Sequence, residues 1–130
     1  MFIQTLQQEI AVECQEDARD LVDRQPDYWH VLSIYGRSTE ESLPAFERAR
    51  RLQQIRFDDV LHDDPERGLR AARPSEVNQA IQFSRSIGTA PLLIHCHAGI
   101  SRSTAVAWLL IYDNLQGTLN AVSRSYSILE

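Results

Sequence analysis

The sequence predicts an α/β fold, on three observations. Short apolar runs rich in β-branched and aromatic residues end in Gly or in polar clusters, amphipathic stretches alternate with them, and no repeat, low-complexity run or Gly/Ser/Pro-rich linker interrupts the series.

The elements follow in chain order. From about Leu6 to Val22, the residues Leu6, Ile10, Cys14, Ala18 and Leu21 recur at spacings of three and four, the pattern of an amphipathic helix, and Pro26 ends it. Trp29 to Tyr35, closed by Gly36, reads as a buried strand. Ser42 caps a next helix running to roughly Arg51. Leu52 to Phe57 forms a second strand that delivers Asp58 and Asp59 at its carboxyl end. In His62-Asp63-Asp64-Pro65-Glu66 an N-cap precedes proline at a first helical position, the start of a short turn. Ser75 is the expected N-cap of a helix carrying Val77, Ile81, Phe83 and Ile87, which Gly88 stops. Pro91 to His95 is the most apolar strand candidate. A helix then runs from near Arg102 through Ala105, Trp108, Leu109 and Tyr112 to Gly117, and a final one starts after Thr118. Trp29 and Trp108 lie on apolar faces and are expected in the core.

At 130 residues and 43% hydrophobic, the chain has the size of one domain, residues 1–130, with a single core. The net charge is −5 and all 13 basic residues are arginine, with no lysine, a bias in keeping with a GC-rich, bacterial genome. An acidic chain without a basic stripe gives no footprint for nucleic acid or for an anionic membrane. No run approaches the roughly 20 apolar residues of a membrane span, and Met1–Gln8 lacks the pattern of a signal peptide. The expectation is a cytoplasmic monomer. In that reducing compartment a structural disulfide between Cys14 and Cys96 is not expected. Cys14 is read as packing on the first helix, with the alternative that it is a resolving thiol for Cys96.

The chemistry concentrates in His95-Cys96-His97-Ala98-Gly99-Ile100-Ser101-Arg102-Ser103. Cys96 and Arg102 are separated by five residues between a buried strand and a helix start, with Gly99 where a tight turn needs a permissive backbone. This is an anion cradle. The amides from His97 through Ala98, Gly99, Ile100 and Ser101 to Arg102 can point at phosphate oxygens, the helix dipole adds positive potential, and the guanidinium can hold two oxygens. The same field favours the Cys96 thiolate, the attacking species. Ser103 is placed to reach the sulfur, its plainer role being a helix cap. His95 reads as a buried residue orienting the loop, and His97 as a residue inside the loop that either tunes specificity or faces solvent.

His95-Cys96-x-x-Gly99-x-x-Arg102-Ser103 resembles the signature of the protein tyrosine phosphatase superfamily, and within it the small dual-specificity type and its bacterial relatives. The likeness is close over the nine-residue loop and looser over the order of elements. It implies a central, mostly parallel sheet flanked by helices, a two-step mechanism through a phosphocysteine, and neither metal nor cofactor. It also implies Cys96 as nucleophile, Arg102 as phosphate and transition-state ligand, and Ser103 as the residue assisting breakdown of the intermediate. The end at Glu130 leaves little room for the extra C-terminal helix such relatives carry, so a shortened domain is expected. The chain is too short for the large classical subclass, and its cysteine loop lies too late for the low-molecular-weight one.

Such chemistry needs a proton donor for the leaving oxygen. Asp58, Asp59, Asp63, Asp64 and Glu66 are the candidates. In Ile55-Arg56-Phe57-Asp58-Asp59-Val60 the aspartate just before an aliphatic residue resembles the family's strand end, which favours Asp59. Asp58 is its nearest rival, Asp64 doubles as the N-cap before Pro65, and Asp63 stays open. The expected substrate is a phosphorylated protein or small aryl phosphate, phosphotyrosine being the easier leaving group. Polyphosphorylated lipids are disfavoured, because only His97 accompanies Arg102 in the loop. The rival readings are a catalytically inactive phosphoprotein-binding module and a rhodanese-like domain.

Overall fold

The computed structural model describes residues 1–4, 6–37, 46–97 and 101–117 with their side chains, and 118–129 as the further course of a helix. Five strands, β1 (Phe2–Ile3), β2 (Gln8–Cys14), β3 (His30–Tyr35), β4 (Arg51–Arg56) and β5 (Leu92–Cys96), form one sheet in the order β1-β2-β5-β3-β4. All neighbours are parallel except β1, which pairs antiparallel with β2 at the edge. The α/β expectation and its mostly parallel sheet hold.

The helices α1 (Gln15–Arg24), α2 (Pro74–Ile87) and α3 (Arg102–Leu129) make two apolar layers with the sheet. Ala18 and Val22 of α1 pack with Trp29, Val31, Phe46 and Leu93. Phe83 of α2 and Ala107 and Leu110 of α3 pack with Ile10, Leu32, Ile34 and Ile94. Adjacent β5 residues thus enter opposite layers, which is why its five positions are all buried and its sequence reads as a continuous apolar run. A strand so covered is a rigid support for whatever its carboxyl end carries.

The strand expectations for β3, β4 and β5 hold to within one residue at each end. Other boundaries move. The helix expected over Leu6–Val22 is a strand in its first half, and the helix starts at Gln15. A spacing of four, as between Ile10 and Cys14, satisfies a period of two as well as one of 3.6. Ala11 on the opposite layer from Ile10 is what decides for a strand. Ser42, the expected cap, lies outside the described residues, and Phe46–Arg50 is turn and irregular backbone rather than helix. α2 starts at Pro74, so Ser75 is inside it; proline fits the first position, and the Arg73 amide donates to Glu76 Oε1 at 3.2 Å. Gly88 does stop the helix, with φ of 63°.

No break occurs at Gly117, and the two expected C-terminal helices are one. A single glycine costs about 1 kcal/mol in a helix interior, too little to end one, and Gly117 does not adopt the left-handed backbone of a terminator. Trp29 is buried at 3% exposure, but Trp108 is 69% exposed. Val106, Ala107 and Leu110 take the sheet-facing side of α3, and Trp108 projects away from them.

Candidate active site

Cys96 is the last residue of β5, the middle strand of the sheet, and Arg102 is the first residue of α3. The connection between them lies at the carboxyl edge of the parallel strands, where α/β folds form their ligand crevices. Its first step is tied down, since the Gln15 amide donates to the His97 carbonyl at 3.3 Å. His97 and Ser101 are exposed at its two ends. Ala98, Gly99 and Ile100 lie outside the described residues.

Cys96 is 2% exposed, and its thiol donates to Ser103 Oγ at 3.3 Å, the serine itself being fully buried in the first turn of α3. Ionisation of the thiol reverses that bond, with the hydroxyl donating to sulfur. Arg102 Nη1 donates to the Phe57 carbonyl at 3.1 Å, while its Nε is buried and has no hydrogen-bond partner among the described residues. A buried guanidinium N–H is costly to leave unpaired. It is the kind of donor an oxyanion satisfies.

His95 is fully buried on the opposite face of β5 from Cys96. Its Nε2 lies 2.6 Å from Ser33 Oγ on β3, and the ring packs against Phe46 and Tyr35 at centroid distances of 4.9 and 5.8 Å. Burial pushes its pKa down to about 4, the Cys96 backbone acting weakly the other way, so the ring is neutral near pH 7. A neutral, buried ring suits the orienting role expected of it. Ser33 is a partner that sequence reasoning missed, although a serine inside the buried run His30–Tyr35 signals that a buried polar mate exists.

The five candidate acids separate cleanly. Asp59 is exposed beyond the end of β4, and its carboxylate accepts from the Ser101 hydroxyl, which joins it to the cysteine loop. Asp58 is 4% exposed; Oδ1 accepts from the Arg37 amide at 3.0 Å and Oδ2 from the Arg70 amide at 2.7 Å. Asp63 accepts from Arg73 Nη2 at 2.8 Å and the Ala71 amide at 3.1 Å, and the Arg73 guanidinium holds its carboxyl below the usual range. Asp64 caps the 3-10 turn Pro65–Arg67, as expected, and pairs with Arg67 Nε at 2.9 Å. Glu66 stands exposed in that turn.

A groove of about 670 Å³ opens beside His97 and Cys14, along the α1 residues Glu16, Arg19, Asp20 and Asp23. Three carboxylates against one arginine make it acidic. Among the described residues no group of three or more His, Cys, Asp or Glu could hold a metal ion, and no helix is long and apolar enough to cross a membrane. No protein-family model, curated protein or solved structure matches the chain.

Proposed function

We propose that the chain is a cysteine-dependent phosphatase acting on phosphate monoesters through a phosphocysteine, similar to the small dual-specificity enzymes of the protein tyrosine phosphatase superfamily. The observation that carries this reading is the convergence of Cys96, bonded to Ser103, with Arg102, whose Nε has no partner among the described residues, and Asp59, bonded to Ser101, at one edge of the sheet. The nine-residue signature and a central, mostly parallel sheet support it further.

In the first step Cys96 Sγ attacks phosphorus and the P–O bond to the leaving group breaks, with Asp59 supplying the proton to the departing oxygen. Arg102 Nε and the loop amides hold the equatorial oxygens as charge builds on them. In the second step water attacks phosphorus, the Asp59 carboxylate takes its proton, and the S–P bond breaks. The Ser103 hydroxyl then donates to the thiolate that leaves. The acidic groove beside His97 favours a substrate whose only dense negative charge is the phosphate itself, such as phosphotyrosine or another aryl phosphate, over a polyphosphorylated one.

The test is metal-free hydrolysis of para-nitrophenyl phosphate across pH by wild type, Cys96→Ser, Arg102→Lys and Asp59→Ala. Loss of turnover in the first two variants, with the acidic-side profile altered in the third, is expected. A wild type that binds vanadate yet turns nothing over would instead identify an inactive phosphate-binding module.

A further inference from the structure

Asp58 is one of the most constrained groups in the molecule, and the proposed reaction leaves it without a task. Its two carboxylate oxygens accept amides from separate connections, Arg37 after β3 and Arg70 before α2, at 3.0 and 2.7 Å. Its own amide donates to the Arg70 carbonyl at 2.8 Å, so that Asp58 and Arg70 are joined by two bonds. Arg70 is held in turn, with Nη2 on the Arg56 carbonyl at 2.9 Å and the guanidinium paired with Glu76 of α2. On the other side of Asp58, the Phe57 amide donates to the Tyr35 carbonyl at 2.9 Å and the Phe57 carbonyl accepts from Arg102.

Asp58 therefore ties two connections, the one after β3 and the one before α2, to the end of β4. Closed off from solvent and with both oxygens turned to backbone donors, it has no path for a proton to a leaving group. The next residue does: Asp59 is exposed and bonded to Ser101. The Cα of Asp59 is one peptide from the tie, so the tie restricts where the Asp59 carboxylate can go.

We infer that Asp58 is a positioning residue for proton transfer: by holding the Arg37 and Arg70 amides, it fixes the backbone from which Asp59 reaches the leaving oxygen. This rests on the phosphatase reading above. It also explains the adjacent pair of aspartates as one structural and one reactive group, where the sequence favours Asp59 but leaves Asp58 as its nearest rival. Asparagine at 58 keeps the size and one acceptor, but turns an NH₂ toward an amide N–H that then has no acceptor.

The experiment compares wild type, Asp58→Asn, Asp59→Asn and the double variant on a series of aryl phosphates graded from strongly activated to unsubstituted phenyl. A general acid contributes about 10²–10⁴-fold where the leaving group needs a proton. Asp58→Asn is expected to lose about tenfold or more of kcat on phenyl phosphate, to lose little on the most activated ester, and to leave KM and inhibition by vanadate unchanged. The double variant is expected to be no slower than Asp59→Asn. An equal loss on every ester, or losses that multiply in the double variant, would overturn the inference.

Asp58→Ser, which keeps one small acceptor, is run beside Asp58→Asn, and thermal unfolding identifies any variant that fails to fold. If the wild type hydrolyses none of the esters, it is the phosphatase reading that falls. The tie is then read from amide hydrogen exchange, where faster exchange at Arg37 and Arg70 in Asp58→Asn supports it and unchanged exchange overturns it.

Discussion

Cys14 and Cys96 are register partners on the adjacent parallel strands β2 and β5. Paired residues project to the same face of a sheet, and neighbouring strands lie about 4.8 Å apart, inside the roughly 4.4–6.8 Å between the Cα atoms of a disulfide. Cys14 is also partly exposed and lines the groove beside His97.

Hydrogen peroxide is expected to link the two. Peroxide oxidises the Cys96 thiolate to a sulfenic acid with loss of hydroxide, and the Cys14 thiol displaces water from that sulfur to form the disulfide. Peptide mass spectrometry should find a Cys14–Cys96 linkage, and dithiothreitol should restore activity to the wild type. In Cys14→Ser the same exposure should drive Cys96 to sulfinic acid with no recovery. Equal recovery in both proteins, with no linked peptide, would count against the pairing.

Much of this site was legible because its chemistry is local in the chain. The run from His95 to Ser103 contains the proposed nucleophile Cys96, the Arg102 guanidinium and Ser103, and the apolar residues before it announce β5. Among the candidate acids the sequence favours Asp59 and leaves Asp58, Asp63 and Asp64 open, because what distinguishes Asp58 from Asp59 is burial, and burial there is set by Arg37 and Arg70, 21 and 12 residues from Asp58. Ser33 is 62 residues from His95, so its place in an apolar run marks that a buried polar mate exists but not which residue that is. The error at Leu6–Val22 has a similar origin. A stretch that pairs with a strand some 80 residues later cannot be separated by spacing alone from a helix that makes its own hydrogen bonds.

The two tryptophans should respond oppositely to truncation. Trp29 is buried, packs edge-on against Tyr28 at 5.1 Å and donates from Nε1 to Gln25 at 2.8 Å. Trp29→Ala should cost about 3–5 kcal/mol, the range for removing a large buried aromatic side chain. Trp108→Ala removes a side chain that is 69% exposed and should stay within about 0.5 kcal/mol of wild type. Urea unfolding monitored by far-UV circular dichroism measures both, and similar costs for the two would contradict their placement.

His95 gives a pH dependence of stability with a definite sign. Its pKa in the folded chain is about 4, lowered by burial from 6.5. Between those values the unfolded chain takes up a proton that the folded chain refuses, so stability falls as pH drops from 6.5 toward 4 and gains nothing from this group above 6.5. The full effect is about 3 kcal/mol. Thermal unfolding of the wild type should show that decline, and His95→Asn, which has no ring to protonate, should show a shallower one. An unchanged slope in the variant would mean that other groups carry it.

Ser103 should control the second chemical step rather than the first. Its hydroxyl lies 3.3 Å from Cys96 Sγ in a fully buried setting, where a hydrogen bond to a charged group is worth about 1.5–3 kcal/mol. That bond matters most when sulfur departs from phosphorus as a thiolate, so Ser103→Ala should slow breakdown of the phosphocysteine by about 10–100-fold. Formation of the intermediate, driven by attack from the same sulfur, should change much less. Rapid mixing with para-nitrophenyl phosphate should then show a burst of one equivalent of nitrophenolate before a slow steady state, and acid quench should trap phosphorus on Cys96. Ser103→Thr, which keeps the hydroxyl, should remove the burst. A Ser103→Ala enzyme that is slow from the first turnover would show that the serine acts on the thiolate before attack, as a structural support for the nucleophile rather than for its release.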